Sequence, residues 1–87
     1  MGIHYTASAA KHGIPEVDAI YAMLNHEGQV DQRGRDARTV KVFVGHPHAQ
    51  TDRYIEVIAT MDGSDVVIFH AMPLSDIYRH LLAPDGA

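Results

Sequence analysis

The sequence contains no cysteine, which rules out disulfides and thiolate metal sites. No apolar run approaches the roughly 20 residues that a membrane-spanning helix needs. The first residues lack a basic region followed by an apolar stretch, so no secretory leader is expected. These absences point to a reducing, cytoplasmic setting without membrane contact. No glycine-rich phosphate loop, Ser-His-Asp arrangement or pair of glycosidase carboxylates stands out, and there is no internal repeat or linker. Charge is also modest: 21% of the 87 residues are charged and 46% are hydrophobic, proportions that argue against disorder.

A chain of this length forms one domain, residues 1–87, with residues 83–87 expected to fray. It hides roughly 60–65% of its unfolded surface, enough for a thin core. The net charge of −4 argues against a general nucleic-acid binder, whose domains tend to be basic. The distribution qualifies this. Arg33, Arg35, Arg38 and Lys41 hold four of the seven basic charges within nine positions, so a local anion site is compatible with an acidic body.

Read for periodicity, the chain is α+β. Ile3-His4-Tyr5-Thr6 is a short strand, Thr6 caps a turn over Ala7 to His12, and Gly13 closes it. Pro15 suits the first turn of a second helix, with Glu16 and Asp18 at its positive end. Val17, Ile20, Tyr21 and Leu24 fall at the spacing of one apolar helix face. Gln29 to Asp31 is a short strand or the entry to a basic loop. Thr39 to Val44 alternates, and the strand from Arg53 to Thr60 sets Ile55, Val57 and Ala59 against Tyr54, Glu56 and Ile58. Asp62-Gly63 marks a hairpin. Val66 to Ala71 reads as a central strand buried on both faces, and Pro73 and Ser75 open a last helix that Pro84 ends. The expected architecture is a small curved antiparallel sheet with two N-terminal helices and one C-terminal helix.

Several polar residues break these apolar patterns. His70 places a titratable group at the end of the most hydrophobic strand, and Tyr78, Arg79 and His80 lie on the element that follows. His12, beside Lys11, suits charge complementation at a helix end. His46 and His48 flank Pro47 in a hairpin loop; two ligands do not make a metal site, a third (Asp52 or Glu56) is only a guess, and no metal or cofactor is expected.

Lys11-His12-Gly13-Ile14 before an amphipathic helix, Phe43-Val44-Gly45 at a strand end, and Ile68-Phe69-His70-Ala71 leading to Tyr78 together resemble the BrnT-like toxins of bacterial type II toxin–antitoxin systems, within the RelE-like ribonuclease superfamily. The resemblance covers residues 4 to 82, with short motifs. It departs at Met72 and Val67, where the family commonly carries Arg, and Arg-to-Met removes a bidentate phosphate donor. The resemblance implies a metal-independent endoribonuclease that inhibits growth, a cognate antitoxin that neutralises it in a hetero-oligomer, and operator DNA contacted only through that antitoxin. The alternative is a catalytically inactive interaction module on the same scaffold, binding an antitoxin-like repressor. The chemistry needs a base, an acid and cations around a phosphate. His70, Tyr78, Arg79 and His80 are the catalytic candidates, and Arg33, Arg35, Arg38, Lys41 and Arg53 the RNA-binding ones. This reading expects His70 and the arginines before the central hairpin to surround one anion-sized hollow.

Overall fold

Three alternating apolar runs and two short flanking ones assemble into one five-stranded sheet. The computed structural model describes residues 2–33 and 39–82. The elements are β1 (Ile3–Tyr5), α1 (Ala7–Ala10), α2 (Glu16–Leu24), β2 (Gly28–Arg33), β3 (Thr39–Gly45), β4 (Ile55–Asp62) and β5 (Asp65–Pro73), followed by a 3-10 turn at Arg79–Leu82. The fold is α+β, with an open sheet of order β1-β5-β4-β3-β2. It is mixed rather than wholly antiparallel, because β1 runs parallel to β5, Ile3 opposite Val66 and Tyr5 opposite Ile68. The chain between β1 and β5 runs through both helices and β2–β4, ample for a parallel partner, which needs a long connection.

The two faces carry different partners. On one face, Ile55, Val57, Ala59, Ile68 and Ala71 pack against Ala9, Ile14, Ala19, Ala22 and Met23 of the helical layer. On the other, Val40, Val42 and Ile58 meet Val30, Phe69, Tyr78 and Leu81, so the C-terminal segment covers that side. The β4–β5 register shifts between Ile58 and Ala59: Ile58 faces His70 while Ala59 faces Ile68. Phe69 is thus an extra residue, a bulge. It lets Ile68 and Ala71, three apart, share the helix face, and it turns His70 to the opposite face beside Ile58.

Several elements differ from the sequence reading. The expected apolar face of α2 is only partly its buried face: Ile20 packs on the core, which holds Ala19, Ala22 and Met23, whereas Val17 is 70% exposed and Leu24 69%. The reason is close approach. A Cβ added at Gly45 would lie 2.7 Å from the Ala22 carbonyl oxygen and 3.2 Å from the His26 Cα, so only small side chains fit between helix and sheet. The expected C-terminal helix is replaced by turns: Tyr78 N donates to Ser75 O, and Leu81 N to Tyr78 O, a three-residue spacing that gives a 3-10 turn. Strand β5 has its residues largely half-buried rather than buried on both faces. The Thr6 cap is present, its hydroxyl accepting from Ala9 N at 3.1 Å, and Gly13 takes φ +78°, where a side chain would be strained. The expected frayed tail, 83–87, lies outside the described residues.

The parallel edge is clasped by Asp65, which accepts from Gly2 N at 2.9 Å and lies 3.1 Å from His4 Nε2. The hydrogen bond from His4, then that from the Gly2 backbone, lowers the Asp65 pKa below its ordinary 3.8. A depressed folded-state carboxyl stabilises the fold above its unfolded value, and that contribution disappears as pH falls through the lower folded value. Asp65→Asn is therefore expected to lower the urea midpoint at neutral pH and to flatten its pH dependence below 3.8. Gly45→Ala is expected to destabilise by about 1–3 kcal/mol, because backbone rather than a flexible side chain must move; urea unfolding with an unchanged m-value measures it.

Candidate functional site

Strand β4 is apolar over Ile55 to Ala59 except at Glu56, which is only 2% exposed. A buried carboxylate must be hydrogen-bonded or neutralised. Three donor groups meet it. The Ser75 backbone N–H donates to Glu56 Oε1 at 2.8 Å, and the Ser75 hydroxyl donates to the same oxygen at 2.6 Å. His70 Nε2 lies 2.8 Å from the other oxygen, Oε2. Among the described residues no buried side-chain polar atom lacks a partner.

This geometry depends on the bulge. Glu56 faces Met72 across the β4–β5 ladder, and His70 faces Ile58, so Glu56 and His70 are diagonal neighbours on one face. Strict alternation from Ile68 would have sent His70 into the helix layer. An ionised carboxylate only accepts, so His70 Nε2 carries the proton, and in the neutral ring Nδ1 holds the lone pair. The His70 side chain is 26% exposed, against 3% for Glu56, so the ring stands between the buried anion and solvent.

A second imidazole approaches the first. The rings of His12 and His70 lie 5.9 Å apart, centroid to centroid, at 67°. Strand β1 pairs with β5 only as far as Ile68, and the turn carrying Lys11 and His12 reaches β5 beyond that point. Tyr5 holds this turn: its hydroxyl lies 2.6 Å from the Ile14 carbonyl oxygen and 3.3 Å from that of Ala9. Burial, then the charges of Glu16 and Asp18, raise the Tyr5 pKa above its ordinary 10.0, which keeps the phenol a donor.

The other candidates from the sequence are dispersed. Lys41 faces Ala59 and Asp31 across the ladders, on the helix side of the sheet, and pairs with Asp31 at 3.1 Å. It is therefore on the opposite face from His70. Arg33 ends β2 rather than lying in a loop, and three inter-strand steps, about 14 Å at the usual spacing, separate its strand from that of His70. It lines a shallow hollow with Asp31, Gln32 and Thr39, away from Glu56. Arg53 precedes β4, which begins at Ile55; its carbonyl lies 2.7 Å from His46 Nδ1. Arg35 and Arg38 lie outside the described residues. Tyr78 packs on the Val40–Val42–Ile58 cluster and accepts from Gln32 Nε2 at 2.9 Å. Arg79 pairs with Asp76 at 3.2 Å, and His80 is exposed. Among the described residues, no hydrogen bond or ion pair joins Tyr78, Arg79 or His80 to His70. Arg33 thus does not join His70 in the expected hollow, and Glu56, Ser75 and His12 are the groups that meet or approach the ring.

The histidines of the central hairpin have separate partners. His46 Nε2 lies 3.3 Å from Glu27 Oε2, and the His46 ring stacks on Tyr54 at 4.1 Å. The Tyr54 hydroxyl donates to Glu27 Oε1 at 2.9 Å, and that bond is the main cause of the raised Tyr54 pKa. His48 instead accepts from Gln50 N. Among the described residues no group of three His, Asp or Glu could hold a metal. From the sequence Glu56 was named only as a strand residue and a guessed third ligand beside His46 and His48, and His12 as a helix-end cation and part of the Lys11-His12-Gly13-Ile14 motif.

Comparison with protein-family models, curated proteins and solved structures found no match. The site therefore rests on its own geometry. Glu56→Ala is expected to cost about 3 kcal/mol, since it deprives His70 and both Ser75 donors of a buried acceptor. Asp31→Ala, which removes an exposed ion pair, is expected to cost less than about 1 kcal/mol. Parallel urea titrations of the two variants test this ordering.

Proposed function

We propose that this chain is a divergent BrnT-like, RelE-superfamily toxin: a metal-independent endoribonuclease whose acid–base groups are His70 and His12. The observation that carries the reading is the imidazole pair, 5.9 Å apart, with one member held by a buried carboxylate. The order β-α-α-β-β-β-β and the Lys11-His12-Gly13-Ile14 and Phe69-His70-Ala71 islands support it by resemblance.

In this mechanism His70 Nδ1 takes the proton of a ribose 2′-hydroxyl. The 2′-oxygen attacks phosphorus, the bond from phosphorus to the 5′-oxygen breaks, and protonated His12 gives its proton to that departing oxygen. The products are a 2′,3′-cyclic phosphate and a 5′-hydroxyl. Glu56 stabilises the His70 imidazolium that forms and holds the ring in its tautomer. Lys11, adjacent to His12 in the chain and exposed, is the cation placed to meet a non-bridging phosphate oxygen.

The same reading assigns a cognate antitoxin as partner, a hetero-oligomer with it, operator DNA bound only through it, and a cytoplasmic location. Among the described residues no helix is long and apolar enough to cross a membrane. The exposed Val17 and Leu24 on α2, beside Glu16 and Asp18, suit a basic amphipathic segment of that partner. The second reading, an inactive module that binds the antitoxin without cutting RNA, is favoured by Met72 and by the distance of Arg33 from His70.

Purified protein is expected to cleave RNA in the presence of a chelator. His70→Ala and His12→Ala should each slow cleavage by about 10²–10⁴-fold while the fold is retained. Folded wild-type protein that leaves RNA intact, yet binds its antitoxin, would establish the inactive module instead.

A further inference from the structure

Both donors of Ser75 meet one oxygen of Glu56, and among the described residues His70 alone meets the other. The terminal torsion of a glutamate is broad and intrinsically soft. A carboxylate held only by His70 would rotate and present either oxygen, and the ring would follow. With Oε1 occupied by the Ser75 N–H at 2.8 Å and its hydroxyl at 2.6 Å, the carboxylate plane is fixed and Oε2 is reserved for His70.

The segment that brings Ser75 here is itself anchored. Leu74 N donates to Tyr54 O at 3.1 Å, continuing the β4–β5 ladder past Pro73. Beyond Ser75 the chain turns, and Tyr78 and Leu81 settle on the apolar cluster of the same face. A helix beginning at Ser75 would leave the N–H groups of its first turn without helical partners; here one of them is spent on a buried carboxylate instead.

We propose that Ser75 is a positioning residue for His70, acting through Glu56, so that docking of Leu74–Leu82 holds the His70 ring in one orientation towards the substrate. The catalytic meaning of this inference rests on the nuclease reading, but the ring orientation it fixes is measurable without any RNA. Ser75→Ala keeps the backbone donor and loses the hydroxyl. Ser75→Thr keeps both.

The experiment is nitrogen NMR of the ring of His70 in the full chain, with amide spectra verifying the fold and exposed Asp76→Ala as the neighbouring control. Wild type, Ser75→Thr and Asp76→Ala are expected to show one sharp set of His70 ring signals, and Ser75→Ala signals broadened by exchange between ring orientations. In RNA cleavage, Ser75→Ala should lower kcat by about 10- to 100-fold with little change in KM, and Ser75→Thr should restore it. A folded Ser75→Ala protein whose His70 ring signals match wild type overturns the inference, even if the wild type cuts RNA. Exchange-broadened His70 ring signals in a folded Ser75→Ala protein uphold it, even if no RNA is cut and the nuclease reading fails.

Discussion

The buried carboxylate of Glu56 constrains the rest of the structure. A charge this far from water is tolerated only when its oxygens are fully engaged, and here the donors come from two separate parts of the chain. His70 lies on the neighbouring strand, and Ser75 lies beyond it, where the chain leaves the sheet. The path of residues 70–75 is therefore dictated as much by one polar group as by apolar burial. The C-terminal segment is a set of turns whose first residue gives its N–H and hydroxyl to Glu56 and whose later residues Tyr78 and Leu81 lie over Val40, Val42 and Ile58.

The two sides of the sheet are built by different means. On the helical side, alanines at 19 and 22 and a glycine at 45 bring backbones together, and aliphatic strand residues fill the core. On the other side a small apolar cluster and one polar network share the work. The bulge at Phe69 connects them: it keeps Ile68 and Ala71 in the helical core while directing His70 to the polar network. The short β1 leaves the upper part of β5 open at its edge, and Tyr5 holds the Lys11–His12 turn beside that opening. A turn after α1 and the end of β5 thus bring together two imidazoles that local sequence would not have joined.

Cations are placed differently from acid–base groups. Lys41 and Arg79 are occupied by Asp31 and Asp76, and Arg33 stands at the far edge strand. In the proposed mechanism the imidazole pair exchanges protons with the phosphodiester, and Lys11 is assigned the positive charge. This division is why the proposed chemistry rests on His12 and His70 rather than on the basic run from Arg33 to Lys41.

Much of the scaffold was legible along the chain because it depends on local chemistry. The Thr6 cap, the Gly13 turn, the alternation of β3 and β4 and the Asp62-Gly63 hairpin each follow from neighbouring residues. His70 stood out because an apolar strand rarely ends on a titratable group. What lies between distant residues was not legible. No periodicity reveals that Gly45 admits α2 so closely that Val17 and Leu24 are left outside. No alternation rule survives an unannounced extra residue at Phe69. The amino-acid sequence on its own determined the elements, their approximate limits and the inventory of reactive groups, since these are set over a few bonds. Tertiary structure alone decided which groups meet, because the Glu56–His70–Ser75 contacts and the His12 approach depend on strand register, a bulge and a parallel edge pairing, all of them fixed by packing across the whole chain.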